Sequence, residues 1–256
     1  MAGIVTHIAT STPEKITIRG KDLVNELVGK YSFTEVLYFL ITDRFPAAAQ
    51  TRVLDACLVV LMEHGFTPAA LIARLVSESV PGEIQVAMAS GLMAIGSVFA
   101  GTMEGCAAIL YAGRDAADVD AYCREVVAAH RAGHKPVPGF GHHFHKPDDP
   151  RTPRLLAVAQ EAGVAGRYVS MLRKLAAAVD EGAGRHLTIN ATGAIAALLL
   201  EIGIPADICR AIAVVSRSGG LVGHIVEERR TKSARVIAKL AVQNIPYEDP
   251  PPGAAI

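Results

Sequence analysis

The sequence predicts an all-α fold. Apolar residues recur at helical spacing through nearly every segment, start and stop signals bracket those segments, and runs with the two-residue alternation of strands are scarce. The chain has 256 residues, 51% of them hydrophobic, which is ample for one sizeable core with a lobe set off from it. Twenty-five basic residues balance twenty-five acidic ones, so no net field favours nucleic acid or an anionic membrane. Trp is absent and other aromatics are few, which leaves no stacking platform for bases. Four scattered cysteines form no Cys-x-x-Cys pair. They read as small buried hydrophobes of a reducing compartment, and no metal site is expected. Met1 to Thr12 lacks a basic region followed by an apolar core, so a cytoplasmic protein is expected.

Taken in order, Ile16-Thr17-Ile18 reads as a short strand or an extended arm. From Lys21 the pattern turns helical, with Leu23, Val24, Leu27 and Val28 as its stripe and Gly29 as its stop. Ser32 and Glu35 form a capping box for a helix that Pro46 ends. A longer helix spans about 47–63. From Ile84 to Met103 no residue is charged. That length would admit a membrane span. The recurring small residues Ala87, Gly91, Ala94, Ser97 and Gly101, with no aromatic anchor or basic flank, predict instead a buried helix packed closely on another. Residues 116–131 form an amphipathic helix. Further helices follow around Leu155–Ala159 and Tyr168–Leu175, with Gly182-Ala183-Gly184 as a break, and another runs to Glu201 and stops at Gly203-Ile204-Pro205. Pro246 to Ile256 reads as an extended tail. There is no internal repeat and no phosphate-binding glycine motif.

Between the helices lies Val137-Pro138-Gly139-Phe140-Gly141-His142-His143-Phe144-His145-Lys146-Pro147-Asp148-Asp149-Pro150-Arg151. Its prolines stiffen the path, and its glycines permit close approach. Imidazoles exchange protons near neutral pH, and a guanidinium fits a carboxylate bidentately. A surface turn with solvated histidines is the plain alternative. The density of such groups favours a site for a small carboxylic acid, with His142 near the reacting atoms.

Gly139 through Arg151 resemble the signature of the citrate synthase superfamily, in which Pro-Gly-Phe-Gly-His leads at constant spacing to Asp-Pro-Arg. Other stretches follow in the family's order. The run from Ser32 to Pro46 resembles the family's early helix. Glu63-His64-Gly65-Phe66 followed by Ala69-Ala70 resembles Glu-His-x-x-Asn-Ala, without the Asn. Alone, His64 would read as a partner for its helix dipole; the resemblance makes it a ligand of the substrate acid. Gly101-Thr102-Met103-Glu104-Gly105-Cys106-Ala107-Ala108 resembles Gly-Pro-x-His-Gly-Gly-Ala-Asn, with Glu104 in place of the His that holds the enol. Alone, Glu104 is either a solvated cap or a proton carrier raised by burial. Asn190-Ala191-Thr192 stands where the family has Asn-Val-Asp, so Thr192 replaces the enolising base. Ser216 to Glu228 resembles Ala-Arg-x-x-Gly-Trp-x-Ala-His-x-x-Glu-Gln and assigns Arg217 to a carboxylate. His224 reads as structural, and Arg229 and Arg230 stay open between a solvated pair and a reach across a dimer.

The resemblance implies the citrate synthase-like fold: a large helical domain of 1–151 and 217–256, a smaller helical lobe of 152–216, and a ligand cleft between them. It implies catalytic roles for His142, Glu104 and Asn190, and substrate binding by His64, Arg151 and Arg217. It also implies contact between coenzyme A and Val137, Pro138, Gly139, Phe140, Gly141 and Lys146. The uncharged helix becomes a dimer contact, so a homodimer or higher homo-oligomer is expected. The acid clamp is kept and the enolising groups are not, a combination that resembles short citryl-CoA lyases and the lyase domain of ATP-citrate lyase. The expectation is cleavage of citryl-CoA, or a related 3-hydroxyacyl-CoA acid, to oxaloacetate and acetyl-CoA. The CoA thioester is then a substrate, and no tightly bound cofactor is expected. A condensing enzyme for another acyl-CoA and 2-oxo acid, and a non-catalytic binder of CoA esters, are the alternatives.

Overall fold

The structure, a computed structural model, describes residues 3–96 and 101–250. It opens with a small antiparallel sheet of β1 (Ala9–Ser11), β2 (Ile16–Ile18) and β3 (Lys21–Asp22) in the order β1-β2-β3. Ile16–Ile18 is thus a strand. The helix expected from Lys21 is cut to one π-helical turn, Leu23–Leu27, capped by Asp22. The turn at Gly20 commits Lys21 and Asp22 to pairing with β2, and Gly29, also at positive φ, ends the segment soon after. Only Leu27 of its apolar stripe is buried; Val24 and Val28 stay exposed.

The chain divides into two compact units, Met1–Leu61 with Ser97–Ala213 and Met62–Gly96 with Val214–Ile256. In the first unit, α1 (Phe33–Thr42) starts at the Ser32/Glu35 capping box and α2 (Ala48–Met62) follows. Helix α3 (Pro68–Ser79) and α4 (Ile84–Met93) belong to the second unit. The chain returns to the first with α5 (Gly101–Ala112), α6 (Val119–Ala132), α7 (Arg151–Glu161), α8 (Arg167–Ala183) and α9 (Ala191–Glu201). Helix α10 (Cys209–Thr231) passes from the first unit to the second at Val214, and α11 (Ser233–Asn244) ends the helices.

Helix α9 organises the first unit. Its Ala194–Leu200 run is apolar all round and buried all round, as a core helix must be. Helices α5, α7 and α8 pack on it. Glu201 at its end accepts the backbone N–H groups of Gly166, Tyr168 and Val169 at 2.9, 2.8 and 2.9 Å. It thereby caps α8, whose own cap residue Gly166 has no side chain to offer. All four cysteines are free and buried.

In the second unit Thr67 caps α3 and Pro68 occupies its first turn, a start signal present in the sequence but not read there. The uncharged run expected as one helix over 84–103 is not one. Helix α4 ends at Met93, Ala94–Gly96 are non-helical, and α5 begins at Gly101; Ser97 and the rest of 97–100 lie outside the described residues. Ala87 and Gly91 pack within their own unit, against Ala69 and Ala73 of α3 and Leu221 of α10. A Cβ at Gly91 would stand 2.8 Å from the Ala69 carbonyl, so the close approach serves the chain's own core. No helix among the described residues is long and apolar enough to cross a membrane. Residues 246–250 are exposed and without regular structure, and the remainder of the expected tail, 251–256, lies outside the described residues.

Candidate active site

In the first unit the 137–151 loop runs beside the segment 186–193 that leads into α9. Gly141 N donates to Thr188 O at 2.8 Å, Asn190 N to Gly139 O at 3.0 Å, and Asn190 Nδ2 to Gly141 O at 2.9 Å. Thr152 Oγ1 donates to Ile189 O at 2.7 Å. Gly139 and Gly141 both have positive φ, which a side chain would strain. Gly139 is also squeezed: a Cβ there would lie 2.8 Å from Cys106 Sγ and 3.0 Å from Gly193 Cα. The reverse holds for Gly193, whose added Cβ would sit 2.5 Å from Gly139 O. Gly193→Ala is therefore expected to cost roughly 1–3 kcal/mol by overpacking. A denaturation midpoint equal to that of the wild type would mean that the two backbones do not meet.

His142 is held by its own loop. Its Nδ1 accepts the backbone N–H groups of Phe144 and His145 at 3.1 and 2.9 Å, so the ring's hydrogen is on Nε2. Burial, then His145, His143 and Arg151, hold its pKa below the ordinary imidazole value. His142 is thus a neutral Nε2–H donor, stacked against His143 with ring centroids 4.8 Å apart. That suits an oxygen that becomes a carbonyl. It does not suit a base for a hydroxyl proton.

Arg151 spends one edge of its guanidinium inside the chain. Its Nε and Nη2 reach Asp149 Oδ1 and Oδ2 at 2.9 and 2.7 Å. Asp149 is fully buried and also accepts Ala191 N at 3.0 Å. Burial alone would raise its pKa; the bonds from Arg151 and Ala191 overcome that and hold it at about 2. The preceding residue, Asp148, lies 3.0 Å from His186 Nε2, whose Nδ1 is 2.8 Å from Asp180. Asp180 first, then Asp148, raise the His186 pKa. Asp149 lies two residues before Arg151 in the family motif, and that spacing is the sequence signal for the fork between them.

Asn190 is the N-cap of α9. Its Oδ1 accepts from Gly193 N at 3.0 Å and from Thr192 Oγ1 at 2.6 Å, so it positions the loop and the helix start. Thr102 and Thr192 hydroxyls lie 2.8 Å apart. Since Thr192 gives its hydrogen to Asn190, Thr102 is the donor between them. Glu104, in the first turn of α5, lacks the burial expected of a proton carrier. Its side chain is 35% exposed and pairs with Arg210 Nη2 at 2.5 Å. Of the expected CoA contacts, Gly139 and Phe140 are buried, Val137, Pro138 and Gly141 are half-buried, and Lys146 is exposed.

In the second unit His64 is exposed on the turn after α2, and Arg217 lies half-buried on α10. Glu63 serves both. Its Oε1 accepts His64 N and Gly65 N at 2.8 and 2.6 Å, and its Oε2 is 3.8 Å from Arg217 Nη1. His224 is 10% exposed and hydrogen-bonded, as its structural reading requires.

Residues 46–239 match the family model described as citrate synthase, C-terminal domain. The chain is 29% identical to the citryl-CoA lyase of Hydrogenobacter thermophilus. That structure superposes with a TM-score of 0.87, covering 99% of this chain and 97% of that one. An ATP citrate lyase from Methanothrix soehngenii, solved with citrate and coenzyme A, shares the fold at 19% identity and a TM-score of 0.78, over 98% of this chain and 42% of that one. The citrate synthase of Haloferax volcanii is 27% identical over 82% of this chain, which spans only 55% of that protein.

Proposed function

The chain belongs to the citrate synthase family, and from that premise we propose that it is a citryl-CoA lyase. The observation that carries this reading is the near end-to-end similarity to the Hydrogenobacter enzyme, against a match to little more than half of a citrate synthase. In the reaction the citryl hydroxyl gives its proton to solvent and becomes the oxaloacetate carbonyl, and the carbon–carbon pair leaves as the acetyl-CoA enolate, whose carbon takes a proton back from solvent. His142 Nε2–H donates to the oxygen as it becomes a carbonyl, in the manner of an oxyanion donor. His64, Arg151 and Arg217 bind the acid's carboxylates, Arg151 through the part of its guanidinium that Asp149 leaves over. Val137 to Gly141 and Lys146 meet the CoA. Asn190 acts by positioning, and Thr192, bonded to Asn190 and to Thr102, takes by resemblance the place of a synthase's carboxylate base.

The test is to mix the protein with citryl-CoA and follow oxaloacetate release, then to repeat with other 3-hydroxyacyl-CoA acids. Binding of CoA esters without any release would overturn the reading in favour of a non-catalytic member. The same assay separates the two readings of Glu104. Its half-exposed pair with Arg210 contributes no more than about 1 kcal/mol. Glu104→Gln should therefore keep turnover within a few-fold. A fall of roughly 10²-fold or more would make Glu104 a proton carrier after all.

A further inference from the structure

Arg74 is a charged side chain only 2% exposed, set in α3 among the small apolar residues Ala69, Ala70 and Ala73. Burying a guanidinium costs several kcal/mol unless it is paired and hydrogen-bonded. Glu228, 1% exposed, supplies the pairing: Arg74 Nη1 donates to Glu228 Oε2 at 3.2 Å and to Ser233 Oγ at 3.0 Å, while Nη2 bonds Glu227. Those contacts suffice to neutralise the charge and to anchor the start of α11. The remaining ones lead elsewhere. Arg74 Nε donates to His224 Nδ1 at 2.8 Å, which puts the ring's hydrogen on Nε2, 2.9 Å from Glu63 Oε1. The guanidinium also lies 5.0 Å over the ring of Phe66. Glu63 and Phe66 bracket His64, so Arg74 holds that turn at both ends. Burial alone would raise the Glu63 pKa; His224 and the N–H groups of His64 and Gly65 more than offset it and keep the carboxylate ionised. A Cβ at Gly220 would run into the Met62 carbonyl, so the missing side chain lets α10 bring Arg217 past the same turn.

We infer that Arg74 is a positioning residue: through His224 and Glu63 it sets the backbone of His64 and the guanidinium of Arg217, and so governs affinity for the acid. This rests on the substrate role proposed above for His64 and Arg217. Arg74 would be isolated by Arg74→Lys, which keeps the charge facing Glu228 and loses both the Nε–H and the planar stack.

The expected result in the full chain is a melting temperature near that of the wild type and amide exchange at His64 and Gly65 faster by about tenfold. The KM for citryl-CoA should rise by about tenfold, and kcat should stay within about threefold, as for a lost binding contact. His224→Phe breaks the same chain one link on and should reproduce these changes. The double variant should be no worse than either single by more than about twofold, because both act along one path. A lowered melting temperature with KM and amide exchange unchanged would leave Arg74 a packing residue only. Effects that multiply in the double variant would also overturn the inference. The amide exchange is read without turnover. A wild-type protein that cleaves no citryl-CoA would thus defeat the proposed function, while the exchange at His64 and Gly65 still decides the coupling.

Discussion

His142→Ala is expected to lower citryl-CoA cleavage by roughly 10²- to 10⁴-fold, the range for a hydrogen-bond donor or acid removed from a reacting oxygen. Oxaloacetate binding through the arginines should persist, because Arg151 is oriented by Asp149 and Arg217 lies beside Glu63. The donor role has a pH signature. A His whose folded pKa lies below the ordinary 6.5 stays neutral as pH falls past that value. The acid limb of kcat/KM due to His142 should therefore fall below pH 6.5. Stability carries the same sign. It is fully present above 6.5 and declines as pH falls toward the folded pKa, because over that window the unfolded chain binds more protons. A limb centred above 6.5 and removed by His142→Ala would contradict the neutral-donor assignment.

Asp149→Asn should be the most damaging of the single changes to stability. The carboxylate is fully buried and carries the Arg151 fork on one side and the start of α9 on the other. Removing one partner of a buried pair costs about 3–5 kcal/mol. Arg151 is 24% exposed and regains some water, which puts the expected loss near about 3 kcal/mol. The pH dependence follows from a folded pKa of about 2 against an ordinary 3.8. The stabilisation is complete above about pH 4 and is lost as pH falls toward 2, and the variant should lack that slope. Denaturant titrations at pH 7 and at pH 3 measure both. A variant within 1 kcal/mol of wild type at pH 7 would mean that Arg151 and the start of α9 do not depend on Asp149.

Local signals were legible where the reason for them is local. The Ser32/Glu35 box is a contact between near neighbours in sequence, and it caps α1 as its spacing requires. The apolar run Ala194–Leu200 has no polar side to show to water, so its place in the core was fixed by composition. The glycines at 139 and 141 marked a backbone that needs positive φ. The family motifs, in order, pointed to the fold that the comparisons support.

What stayed hidden was the partner of each polar or small residue. Sequence predicted that Ala87 and Gly91 pack closely on a helix, and only the tertiary structure shows that the helix is α3 of the same chain. Glu104 reads alike as a solvated cap or a buried proton carrier until Arg210, far along the chain, is seen 2.5 Å away. Arg74 is an unremarked charge in an apolar stripe until Glu228 and His224 are folded onto it. Spacing and composition therefore marked most of the helices, though not the break after Met93 or the short turn from Leu23, because caps, turns and apolar faces act over a few residues. Which proton His142 carries, which edge of Arg151 is spent and what a buried charge is paired with depended on the tertiary structure, because those choices are made by groups that only packing brings within hydrogen-bond distance.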